Sequence, residues 1–389
     1  MMNTEHISIN LRRLRKDRGW TQAELADMAG FSLSGYRKLE RARVGEPRPE
    51  SLKQIARALD VPLRELMVPV RGLERVRFRS FKRLKSREQL LADVAIWLRD
   101  FADLEALIGE VVPHSLEELL PQSSGPRPGA IPEFAREVRA AFALDEREPV
   151  HDICGLLEAR GVKVWSVAVP NDAFMGLSVG AQEVGGPAVV VNTWERLPVE
   201  TWIFSAAHEL GHLLMHLGAY DVHQVAEDNA EEAQANQFAS HFLMPDGAFR
   251  REWEETAGLA LVERVLKIKR IFRVSWRTVL YRVAGALPAG ERAGVWARFN
   301  LEYKRRSGHT LLKHDEPGGI DAEVYHSVYG ERPVGREPSG MDVCDFKEDR
   351  MARLVRRALE SGTISLSRAA EILGLPLEDM RERTASWVA

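Results

Sequence analysis

Cysteine is scarce in this chain, with two in 389 residues, Cys154 and Cys344. That excludes a disulfide framework and fits a reducing interior. Long apolar runs are missing as well: nothing approaches roughly eighteen uninterrupted hydrophobic residues. The N-terminus also lacks the basic, apolar and small-residue order of a signal peptide. The expectation is a cytoplasmic protein with no membrane partner. Net charge, at −3, is nearly absent too, but the figure hides a division. Residues 1–90 hold 21 Lys and Arg against 11 Asp and Glu, a balance of +10, so the remaining 299 residues sum to −13. A basic head on an acidic body points to an anionic partner for the head alone. The plainer reading is a solvated charged surface.

What is present begins with "ISINLRRLRKDRGWTQAELADMAGFSLSGYRKLERARVGEPRPESLKQIARALDVPLREL", which divides into five short amphipathic segments. Thr21 with Glu24 three residues on makes a capping box for the second. That segment stops at Gly30, and Ser32 then caps a third, with Tyr36 and Leu39 inward and Arg37, Lys38 and Arg41 outward. Two helices joined by a tight glycine turn, the second with a basic outer face, are the parts of a helix-turn-helix. Through "TQAELADMAGFSLSGYRKLE" and "LKQIARALDV", residues 7–68 resemble the Cro/repressor-like (XRE) helix-turn-helix family. The resemblance implies binding of double-stranded DNA, with Ser32–Arg41 as the recognition helix. Its contacts would come from Ser32, Ser34, Arg37, Lys38 and Arg41, and Gln22 would touch backbone or base.

Residues 71–88, "RGLERVRFRSFKRLKSRE", carry eight positive and two negative side chains. They read either as an extension of the DNA footprint along phosphates or as the solvated start of the next helix, "REQLLADVAIWLRDFADLEALIG". The Pro-, Gly- and Ser-rich stretch at 113–132 reads as a linker or loose loop.

Beyond it, two helical segments lead to three short strands: one ending near Val169, then "AFMGLSVG" and "GGPAVVVNTW". The helix "ERLPVETWIFSAAHELGHLLMH" follows, placing His208, Glu209, His212 and His216 in an otherwise apolar run. Buried without partners, each of these groups would be costly. Histidines at i and i+4 share a helix face, so two imidazoles can converge on one metal, with Glu209 beside it to take a proton from water. A third ligand is offered by "AEEAQANQFASHFLMP". Glu232 has Asn236 one turn on to orient a ligand, whereas the rival Glu231 leads only to Ala235. His216, one turn past His212, suits a structural or orienting role.

Together, "VVVNTWERLPVETWIFSAAHELGHLLMH" and "EEAQANQFASHFLMP" resemble the ImmA/IrrE family of metallopeptidases, over roughly residues 145–285. The resemblance implies a thermolysin-like core and cleavage of helix-turn-helix repressors. By position, His208, His212 and Glu232 would bind Zn2+, with Glu209 as general base and proton donor. Tyr220, His223 and His241 are candidates for the oxyanion side, each also readable as a surface residue. Cys344 could fill a fourth metal position or be an ordinary thiol.

The expected fold class is mainly α with a small β-sheet. It comprises an N-terminal five-helix helix-turn-helix domain (1–70), a basic segment, helix and linker (71–132), a thermolysin-like α+β metallopeptidase core (133–290) and a helical C-terminal region (291–389). That last region would close in two or three short helices. The functional expectation is a transcriptional regulator, as a homodimer on an operator, whose zinc endopeptidase cleaves a regulator protein or itself in a stress or phage/mobile-element response. Two further classes stay open: a transcription factor whose peptidase fold only senses metal or ligand, and an antitoxin-like regulator.

Overall fold

The computed structural model describes residues 4–45, 47–67, 73–80, 87–114, 116, 129–217, 220, 228–318 and 340–387. Most of the expected linker at 113–132 lies outside them. The chain forms two compact units, residues 1–74, 83–107 and 366–389 in one, and residues 75–82 and 108–365 in the other.

The first unit opens with α1 (Thr4–Asp17), α2 (Gln22–Met28), α3 (Leu33–Glu40), α4 (Pro49–Ala58) and α5 (Leu63–Met67). Their apolar faces meet in one core that includes Leu11, Leu25, Tyr36, Leu52, Ile55 and Leu66. The capping box forms as the spacing predicts: Glu24 N donates to Thr21 Oγ1 at 3.2 Å, and Thr21 N to Glu24 Oε2 at 2.6 Å. Ser32 caps α3 by accepting from Gly35 N at 3.1 Å. Glu40 departs from the expected charged exterior. It is 2 % exposed and takes a two-pronged bond from Arg15, both contacts at 2.8 Å. Such a fork holds the end of α3 against α1.

Helix α6 (Arg87–Ile108) matches the long periodic segment. In the first unit it is joined by two C-terminal helices, Leu366–Ile372 and Leu377–Ser386, and Arg368 donates to the buried Asp100 at 2.7 Å. The C-terminal region expected at 291–389 is thus divided between the units, because its last helices bring a cation to a carboxylate far away in sequence.

The second unit is built on a four-stranded sheet of β1 (Val76–Ser80), β2 (Lys163–Val167), β3 (Phe174–Val179) and β4 (Ala188–Asn192), in the order β1-β3-β4-β2. Strands β1 and β4 flank β3 antiparallel, and β2 runs parallel to β4. Residues 76–80 of the basic segment at 71–88 thus form an edge strand, which neither sequence reading of it anticipated. The alternation of Arg75, Val76, Arg77, Phe78 and Arg79 is a period-2 strand signal that the run of positive charge obscures. At the end of β4, buried Asn192 donates to the carbonyls of Val169, Asn171 and Phe174, closing the β2–β3 connection.

Helices α7 (Ile131–Ala141) and α8 (Ile153–Glu158) precede the strands; α9 (Val199–Met215), α10 (Asn229–Leu243), α11 (Asp246–Glu255), α12 (Leu261–Phe272) and α13 (Trp276–Gly285) follow them. The long α14 (Arg292–Ser307) opens the C-terminal region, and α15 (Arg350–Glu360) belongs to the same unit. Two of the close approaches that need glycine lie beside α9. A Cβ on Gly176 would stand 2.8 Å from Val190 O, and one on Gly211 would stand 2.9 Å from Phe238 Cδ1. The first lies against the backbone of β4, with Glu209 of α9 at 3.4 Å, and the second lets α9 lie on α10. Among the described residues no helix is long and apolar enough to cross a membrane.

Candidate metal centre

Helix α9 buries almost everything it carries, and its apolar residues Ala206, Ala207, Leu210, Leu213 and Leu214 join the main core. His208, Glu209 and His212 are each 0 % exposed. Helix α10 packs against it and begins at Asp228, whose side chain accepts from Ala230 N and Glu231 N. That cap sets the first turn so that Glu232, and not Glu231, faces the histidines.

His208 Nε2 and His212 Nε2 lie 2.9 Å apart. Glu232 Oε2 stands 3.2 Å from the first and Oε1 3.1 Å from the second. Among the described residues these three form the one group of His, Cys, Asp or Glu side chains whose ligand atoms converge, all within 4.8 Å. Cys344 is not in it. That residue sits on an exposed turn, Val343–Asp345, capped by Asp342.

The rings are held from behind. His208 Nδ1 meets Asn236 Oδ1 at 3.0 Å, so Nδ1 donates and Nε2 keeps its lone pair. His212 is held through a longer chain: its Nδ1 is 2.8 Å from His216 Nδ1, and His216 Nε2 is 2.9 Å from Gln234 Oε1. With His216 neutral and donating to Gln234, its Nδ1 must accept from His212 Nδ1–H. His212 Nε2 is then a bare donor atom. Burial pushes His212 down to about 4 against the pull of Glu232, and burial also lowers His216. Burial works to raise Glu232, yet its carboxylate is held well below its ordinary range whenever the facing Nε2 atoms carry a proton; with both Nε2 atoms bare, a cation takes that place. Two lone pairs and a carboxylate facing one another fit a divalent cation, and a neutral imidazole is the ligating form.

Glu209 stands outside the donor group. Its Oε2 accepts from Ser178 Oγ at 2.8 Å, and Ser178 in turn accepts from Tyr220 Oη at 3.0 Å. Tyr220 is 3 % exposed, which corrects its reading as a surface residue. Burial pushes its phenol up. His241 pairs with Asp246 at 2.9 Å and takes no part, while His223 lies outside the described residues. Three contributors escaped sequence reasoning: Ser178, Gln234 and Arg77. Arg77 ion-pairs with Glu231 and donates to Glu232 Oε1 at 3.3 Å. Only Gln234 left a local signal, standing two residues after Glu232 on the same helix.

In the helix-turn-helix segment, Ser32, Ser34, Arg37, Lys38 and Arg41 are all exposed on or beside α3. Gln22 is half-buried and already engaged, donating to Glu40 at 2.8 Å and accepting from Arg37 at 3.3 Å.

Comparison with known proteins assigns both regions. Residues 11–66 match the helix-turn-helix family, and residues 158–284 match the IrrE N-terminal-like domain. The chain thus carries an XRE-type helix-turn-helix domain followed by a domain of the IrrE/ImmA-like metallopeptidase class. A stretch of 72 residues, 18% of this chain, is 35% identical to the HTH-type transcriptional repressor RghR of Bacillus subtilis (strain 168). The match spans 53% of that relative, about half its length.

Proposed function

We propose that this protein is a DNA-binding transcriptional regulator carrying a zinc-dependent endopeptidase that cuts a regulator protein, or the chain itself, to change gene expression. The DNA part of the reading is supported by the exposed cationic face of α3 and by the likeness to a repressor. A homodimer would place two such helices in successive major grooves of a palindromic operator.

Glu209 is the observation that carries the peptidase part. It is a fully buried carboxylate one residue from a metal donor, yet it stands outside the donor group. A site that only sensed metal would have no use for it. His208, His212 and Glu232 would hold zinc, and the chemistry zinc supplies is Lewis acidity, which polarises a peptide carbonyl and acidifies water. Asn236 and the His216–Gln234 pair engage the Nδ1 side of the rings, which would leave both Nε2 atoms free to hold the cation. Glu209 accepts the proton of the attacking water on its carboxylate and returns it to the departing amine nitrogen. Ser178 and Tyr220 hold that carboxylate in place while it does so.

The test is Glu209→Gln, which keeps size and removes the base. Full zinc content, unchanged operator affinity and a fall in proteolysis of at least about a hundredfold are expected. His212→Ala should lose zinc as well. In cells, Glu209→Gln should fail to switch its promoter while still binding the operator. A mutant that regulates like wild type would sink the peptidase reading.

A further inference from the structure

Arg77 lies outside the region that matches the IrrE-like domain, on an edge strand that the chain forms between the helix-turn-helix segment and α6. Strand register fixes where it points. Arg77 pairs directly with Ser178, and opposed residues of an antiparallel ladder project to the same face. Ser178 uses that face to reach Glu209 on α9, and Arg77 uses it to reach α10. The guanidinium is 8% exposed and bridges two neighbouring carboxylates, Glu231 and Glu232. Glu231 neutralises its charge. The contact with Glu232 is therefore directional, and little net positive charge is set against a cation.

We infer that Arg77 is a positioning residue of the metal centre. By engaging Glu232 Oε1, it fixes the carboxylate with Oε2 3.2 Å from His208 Nε2 and Oε1 3.1 Å from His212 Nε2. The Glu232 carboxylate is then held in this pose only while β1 is seated on β3. This rests on the metal reading above. Outer hydrogen bonds to a ligating carboxylate are worth about 10–100-fold in metal affinity. A lysine would keep the charge but not the planar fork.

The experiment uses the full chain as wild type, Arg77→Gln and Arg77→Lys, each checked for folding by circular dichroism. Zinc affinity is measured by chelator competition, and the visible spectrum of the cobalt(II)-loaded protein reports coordination. Wild type should bind one equivalent. Arg77→Gln should bind about 10–100-fold more weakly, with an altered cobalt spectrum as the released Glu232 carboxylate turns. Arg77→Lys should fall between the two in affinity and spectrum. Should Arg77→Gln not fold, Arg77→Lys carries the test alone, with weaker binding and an altered spectrum expected. Wild-type affinity and spectrum in every variant that folds would overturn the inference and leave the metal reading intact. Failure of wild type to bind zinc would overturn both.

Discussion

Ser178 on β3 donates its hydroxyl proton to Glu209 on α9 at 2.8 Å, and Tyr220 donates in turn to Ser178. Both hydroxyl protons thus point down one line towards a carboxylate. The sheet holds the proposed base by this polar strut, while the helix holds it by packing.

Ser178→Ala should cut the strut and leave Glu209 with one fewer donor. Proteolysis is expected to fall about tenfold, with zinc affinity unchanged, since no metal donor is touched. Tyr220→Phe should have a smaller effect in the same direction, because it acts through Ser178. Steady-state kinetics on a cleaved substrate, beside zinc titration, checks both. A loss of zinc in Ser178→Ala would show that the hydroxyl supports the whole centre.

The DNA face makes a second, independent prediction. Arg37→Ala with Lys38→Ala removes two exposed cations from α3 without touching its core residues Tyr36 and Leu39. Operator affinity should drop sharply. The slope of log affinity against log salt should become shallower by about 0.9 for each phosphate that the protein no longer neutralises. Binding measured by fluorescence anisotropy at several salt concentrations decides it, and an unchanged affinity would remove α3 from the groove.

A third prediction concerns pH. Glu158 is 4% exposed, and burial pushes its carboxyl up to about 7, against the backbone N–H groups of Arg350 and Asp349 that favour its charge. The folded chain thus holds a proton that the unfolded chain releases near 4.5. The stabilisation is fully present below that value and is lost as pH rises through about 7. Its size is at most about 3 kcal/mol. Glu158→Gln should therefore flatten the stability profile of the second unit across this window. Urea unfolding of both proteins at pH 5 and pH 8 measures the difference, and parallel profiles would refute it.

Much of the centre was legible in sequence because it is local. His208 and His212 are one helical turn apart, and the choice of Glu232 over Glu231 followed from what stands four residues on. Orienting roles for Asn236 and His216 could be read the same way. Arg77 and Ser178 were not legible. Each reaches the site only through strand pairing, and an arginine within a cationic run looks like any solvated or phosphate-seeking arginine. Glu40 was hidden for a related reason. An acidic residue on a basic helix reads as surface until its forked partner, Arg15, is brought in from another helix. The burial of Tyr220 was not legible either, since its ring packs beside Gly180, where a Cβ would stand 3.3 Å from it, a contact made only by the fold.

The β1–β3 pairing bears on how this molecule can be dissected. A truncated piece beginning at residue 131 would contain β3 without the strand that covers its outer side. The backbone of residues 174–179 would then offer unmet amide and carbonyl groups in a row, the template on which chains adhere to one another. Such a fragment is expected to come out of solution as multimers. Extending it back through residue 75 without a break should restore a molecule that stays apart from its neighbours.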